Sequence, residues 1–167
     1  MEKWLGGSTF WQTTFWNTIV VTAYHMVIFV IAVKRPQSAF REDQPRYRMK
    51  KFERGGRFYK KTLKIHLWKE FVPQFIGRDG FSKEHLEREV SAEYLDAFIA
   101  ETCRGEWTHR IQGWSAVFVC IWNPPLLGLL FAGVILLISL PCVAIQRYNR
   151  FRLQTLRKRL LRSGSAA

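Results

Sequence analysis

Glu101-Thr102-Cys103-Arg104-Gly105-Glu106-Trp107-Thr108-His109 gathers two carboxylates, a guanidinium and an imidazole within nine residues. On a helix, at 100° per residue, Glu106 and His109 are i,i+3 neighbours, and Thr102 sits one turn before Glu106 on the same side. Glu101 and Arg104 form another i,i+3 pair on an adjoining face. A carboxylate against an imidazole fixes the ring's tautomer and leaves its other nitrogen free to take a proton, which is the logic of a positioned general base. The same spacing admits a plainer reading. Charges beside a membrane span set its depth, with Arg110 snorkelling and Glu101 simply paired to Arg104. Spacing alone leaves both open.

The elements that must position this motif are set by two uncharged blocks. From Phe10 to Val33, and again from Ile111 to Ile145, the chain contains no Lys, Arg, Asp or Glu. A soluble core distributes apolar residues with a period of two or 3.6 rather than segregating them. The expected class is therefore an all-α integral membrane protein. The first block would be about 36 Å long as a helix, enough to cross a hydrocarbon core of ~30 Å. Its bulky Trp11 and Trp16 and the lack of a small-residue cleavage site argue that it is a retained span rather than a signal peptide. The second block is interrupted by Asn123-Pro124-Pro125, where a helix ladder cannot continue. It predicts a short helix over Trp107 to Trp122, a tight turn, and a full span from Leu126 to Ile145. That makes about three transmembrane helices, the second being a thin span or half of a re-entrant hairpin.

Charge assigns the sides. Thirteen lysines and arginines lie between Lys34 and Lys69, and seven between Arg147 and Arg162, whereas only Lys3 precedes the first block. The positive-inside rule places the N-terminus outside and both basic segments, including the C-terminus, in the cytoplasm. The expected organisation is an N-terminal span (1–33), a basic interfacial cytoplasmic segment (34–106), a helical hairpin (107–145) and a basic tail (146–167).

Within the cytoplasmic segment, FYKKTLKIHLWKEF interleaves Lys60, Lys61, Lys64 and Lys69 with aromatic and aliphatic residues. It predicts a basic helix lying on anionic headgroups. The same lysines could hold the phosphates of an acyl donor such as coenzyme A, and charge does not separate the two uses. Further on, Pro73 and Gly77–Gly80 predict a break. Ser82 is a candidate cap for a helix with Glu84 and Glu87 in its first turn and an apolar stripe from Leu86 and Val90 to Ile99. The net charge of +13 brings no nucleic-acid motif with it, and loops beside spans already explain it. Cys103, Cys120 and Cys142 lack metal-ligand spacing and read as small apolar fillers. His25 reads as a hydrogen-bonded residue inside the first span and His85 as a surface residue. Oligomeric state is left open, since Gly128 and Gly133 suit helix contacts but are ordinary in spans.

GGRFYKKTLKIHLWKEFVP, ETCRGEWTH and IQRYNRFRLQTL, in this order, resemble the small bacterial membrane acyltransferases typified by glycosyl-4,4'-diaponeurosporenoate acyltransferase, the last enzyme of staphyloxanthin-type carotenoid synthesis. The resemblance covers roughly residues 34 to 162. It implies transfer of a fatty acyl group from a thioester, with no bound cofactor or metal, to the C6 hydroxyl of the glucose on a glycosylated carotenoid acid. On that footing His109 would be the base, Glu106 its orienting acid, and Arg104 or nearby backbone N–H groups the support for the oxyanion, beside Glu101. Arg147, Asn149 and Arg150 would close the site or hold donor phosphates, together with Lys60, Lys64 and Lys69. The partners implied are a glycolipid acceptor, the thioester donor and anionic membrane lipid. The chain shows no serine nucleophile elbow, so a covalent acyl-enzyme has no evident nucleophile, and whether Cys103 takes part is left open. The competing expectation is a non-catalytic membrane subunit whose basic face binds anionic lipid and whose spans pack against a partner protein.

Overall fold

The computed structural model describes residues 7–72 and 91–164, and no strand occurs among them. The expectations placed on Pro73, Gly77–Gly80, Ser82, Glu84, His85, Leu86, Glu87 and Val90 lie outside the described residues.

Helix α1 spans Gly7–Lys34 and ends where Arg35 leads into Pro36, whose extended backbone starts a new direction. The chain then passes through short 3₁₀ turns at Gln37–Phe40 and Lys51–Gly56 and a single π-turn at Phe58–Thr62. Lys64 takes a left-handed conformation, with φ of 49°, before the four-residue helix α2, Ile65–Trp68. The predicted continuous basic helix is therefore broken. The physical reason is packing. Tyr59 and Ile65 are six residues apart and would point about 120° away from each other on a regular helix. Breaking at Lys64 lets both bury against Tyr148 and Phe151.

Helix α3, Ala92–Gly113, begins at Ser91, whose hydroxyl accepts the Tyr94 amide at 3.0 Å. It runs straight through the expected boundary between residues 106 and 107, so the ionisable motif lies inside a helix. Trp114 keeps helical angles, and α4 follows at Ser115–Trp122. Asn123 turns the chain, as its two following prolines require, and Pro125 opens α5, Pro125–Gly164. At ~1.5 Å per residue, α5 is about 60 Å long, twice a hydrocarbon core. Its first half is apolar and its second half basic, without a break at Ile145.

Helices α1 and α5 are each long and apolar enough to cross a membrane. Only 17% and 28% of their most apolar windows are buried within the protein, unlike the core helix of a soluble domain. Trp11, Ile121, Leu126 and Leu137 point outward. The helices pack α3 and α4 against α5, with α1 alongside α3 and α4. Contacts between α1 and the α3–α4 pair run in antiparallel register. The Arg35 carbonyl meets Arg104, His25 Nε2 lies 3.2 Å from the Gln112 carbonyl and 3.1 Å from the Ser115 hydroxyl, and Asn17 and Asn123 exchange side-chain hydrogen bonds of 2.8 and 3.0 Å. Gly128 brings α5 onto the Cys120 backbone, while Gly133 faces open space.

Candidate active site

The ionisable motif is drawn toward α5 at Gly105. A Cβ there would stand 2.8 Å from Gln146 Cδ, so the Gln146 side chain rests directly on the α3 backbone at this point. One residue further along each helix, Glu106 meets Arg147 (Nη1 to Oε1, 2.7 Å) and, through its other oxygen, Arg150. Arg110, one turn on, reaches Oε1 at 2.7 Å. Glu106 is fully buried, so three cations surround a carboxylate that water does not reach.

A second buried carboxylate, Glu53, completes the cluster. Arg54, Gly55 and Gly56 all have positive φ, and this tight bend turns Glu53 inward. Arg147 donates to Glu53 from Nε (2.5 Å) and Nη2 (2.8 Å), and Tyr59 donates its hydroxyl at 2.5 Å. The Lys50 amide adds a fourth donor at 2.5 Å. Burial pushes the Glu53 carboxyl up, but hydrogen bonds from Arg147, Lys50 and Tyr59 outweigh it and leave the pKa below its ordinary value. Arg147 also donates to the carbonyls of Arg46 and Arg48, which ties the loop between the two 3₁₀ turns to α5. Two buried carboxylates and two buried guanidinia thus close on one another. Such a cluster is favourable only because nearly every donor and acceptor is matched.

Arg150 donates to Cys103 Sγ at 3.0 Å and lies over the Tyr47 ring. Cys103 is fully buried, and burial pushes its thiol pKa up, which disfavours the thiolate that a covalent mechanism needs. The Tyr47 hydroxyl is likewise pushed up to about 12 by burial. Glu101 pairs with Arg104 at 3.1 Å, but on the side of α3 turned toward the end of α1, where Arg104 covers Phe40. The motif therefore divides, with Glu106 facing α5 and Arg104 facing α1. His109, half-buried, follows Glu106 by three residues on α3.

The remaining expected binding residues also separate. Lys60, Lys69 and Asn149 line one cleft of about 1000 Å³ between the Gly55–Gly56 bend and the basic half of α5, whereas Lys64 is exposed outside its lining. Arg147 and Arg150 turn away from that cleft, into the buried cluster. Sequence reasoning missed Glu53 and Tyr59. The available signal was the Glu-Arg-Gly-Gly bend, which announces a turn but not which side of it is buried.

Comparison with known proteins bears directly on this arrangement. No solved structure matches the chain. Curated relatives named glycosyl-4,4'-diaponeurosporenoate acyltransferase, from Staphylococcus aureus strains bovine RF122 / ET3-1 and Newman, are each 26% identical over 157 residues, covering 92% of this chain and 93% of the relative. The family model of the same description matches residues 43–159, which takes in Glu53, all of α3 and α4, and the basic half of α5 as far as Arg159. The chain is an acyltransferase and belongs to the glycosyl-4,4'-diaponeurosporenoate acyltransferase family.

Proposed function

We propose that the protein moves a fatty acyl group from a thioester, supplied from the cytoplasm, onto a sugar hydroxyl of a glycosylated lipid, as the relatives' name suggests for a glycosyl carotenoid. The observation that carries this reading is the depth of His109. Arg35 pairs in register with Arg104 and Asn17 with Asn123, so His109 lies level with roughly residue 29 of α1. That is about 8 Å inside the charged end of α1, near the boundary between water and hydrocarbon. An acceptor anchored in lipid would bring its sugar to that level.

His109 would take the hydroxyl proton as the oxygen attacks the thioester carbonyl, and would return it to the departing thiolate as the tetrahedral intermediate collapses. Glu106 serves as a positioning residue. Its carboxylate, committed to Arg110, Arg147 and Arg150, holds the helix that presents the imidazole. The register also supports a hairpin of α4 and α5 that reaches about 26 Å along α1 from Lys34, most of a bilayer core. With the basic segments packed together on one side, the favoured orientation has the N-terminus outside and the C-terminus in the cytoplasm.

The test uses membranes containing the full chain, a labelled acyl thioester and extracted glycosylated lipid. His109→Ala should lower transfer by roughly a hundredfold or more while leaving the protein folded. Full transfer by that variant would remove the base assignment, and no transfer by the wild type onto any glycosylated lipid would remove the acceptor class.

A further inference from the structure

Beyond Ile145, α5 has two functional faces. Arg147, Arg150, Gln154 and Arg157 recur at spacings of three and four, so they share one side of the helix. Each meets a carboxylate: Glu53 and Glu106 for the first two, Glu42 for Gln154 at 2.5 Å, and Glu42 with Asp96 for Arg157. A second face, turned by about 175° and so nearly opposite, carries Tyr148, Arg152, Leu156 and Arg159 and forms one wall of the cleft of about 1000 Å³. Arg57, Lys60 and Lys69 stand across it.

Among the described residues, Glu70 is the one carboxylate lining this cleft, against the five cations Arg57, Lys60, Lys69, Arg152 and Arg159. Lys69 pairs with Glu70 at 2.6 Å, and Arg152 lies over the Tyr148 ring. Arg57, Lys60 and Arg159 have no carboxylate partner among the described residues, and all three are exposed. Among the described residues, the cations on one side of the helix are matched by carboxylates, while those on the opposite side converge on a concavity whose lining keeps a net positive charge, which leaves room for an external anion. The floor, from Phe98 and Leu153, is apolar. This suits a ligand with several phosphates and an organic body.

Position selects the ligand's source. Arg152 and Arg159 lie about 10 and 21 Å along α5 beyond the end of its apolar run, whereas the headgroup layer of one leaflet is roughly 5–8 Å thick. The cleft therefore extends past phospholipid headgroups into the aqueous phase. We propose that it binds the phosphorylated nucleotide end of a coenzyme A thioester, the soluble acyl donor. The inference rests on the acyl-transfer reading above, and it places donor recognition on Arg57, Lys60, Arg152 and Arg159 rather than on the buried Arg147 and Arg150.

Calorimetric titration of free coenzyme A into the full chain, held in neutral phosphatidylcholine nanodiscs, tests this. The Arg152→Gln/Arg159→Gln variant should bind about tenfold more weakly and raise KM for acyl-coenzyme A similarly, with kcat retained. A control of equal charge loss outside the cleft, Lys51→Gln/Lys158→Gln, should change either value less than twofold. Equal effects in both variants, or unchanged binding and KM in the cleft variant, would overturn the site. So would displacement of coenzyme A by phosphatidylglycerol added to the nanodiscs, which would make it a headgroup site. Cleft-dependent coenzyme A binding without transfer from any thioester would instead support the cleft and overturn the acyl-transfer reading alone.

Discussion

Arg147 grips Glu53 at two points, Nε to Oε1 at 2.5 Å and Nη2 to Oε2 at 2.8 Å, joining residues 94 apart in the chain. Both side chains are out of water, so neither charge has an alternative partner in solvent. Glu53→Ala should cost about 3–5 kcal/mol, because it leaves a guanidinium buried and short of acceptors. Combining it with Arg147→Met should recover part of that loss. Denaturation in mixed micelles measures both, and a double variant no more stable than Glu53→Ala would show that the pair is not coupled.

The same carboxylate sets a pH response. Glu53 titrates below its ordinary value of 4.5 in the folded protein. Its contribution is therefore fully present above the unfolded value and is lost as pH falls through the lower, folded one. Thermal unfolding of the wild type should show a steep loss of stability below pH 4.5. Glu53→Gln should be less stable at neutral pH and should show a shallower acid decline.

Two glycines separate tolerable from intolerable crowding. An added Cβ at Gly105 meets the end of the flexible Gln146 side chain at 2.8 Å, whereas one at Gly128 meets the Cys120 Cα at 3.0 Å and the Val119 carbonyl at 3.2 Å. Gly105→Ala should cost less than about 1 kcal/mol, and Gly128→Ala about 1–3 kcal/mol, since backbone cannot swing aside. Side-by-side melting of the two variants decides the order.

Cys103 offers a check on a covalent route. Its burial and raised pKa predict that Cys103→Ala retains most acyl transfer and that the native thiol resists alkylation until the protein unfolds. Loss of transfer by a folded Cys103→Ala protein, with a labelled acyl-cysteine in the wild type, would reverse that assignment.

The chain's amino-acid order alone determined the helical class, the turn at Asn123-Pro124-Pro125, the stop at Pro36 and the family, because uncharged runs, prolines and local motifs act through nearest neighbours. It also placed Glu101 beside Arg104, an i,i+3 pair fixed by helix geometry. Tertiary structure decided the rest. Glu106 could be read as a partner for His109 from spacing, but only the approach of α5 at Gly105 surrounds it with Arg147 and Arg150. Glu53 gained its importance from a bend whose inward side depends on where α5 passes. Among the described residues, the basic side chains, uniform in sequence, became a matched set and a largely unmatched one only when the helix acquired carboxylates on one face. Long-range pairing of charges depends on distance and desolvation, and neither is encoded in the spacing of residues along a chain.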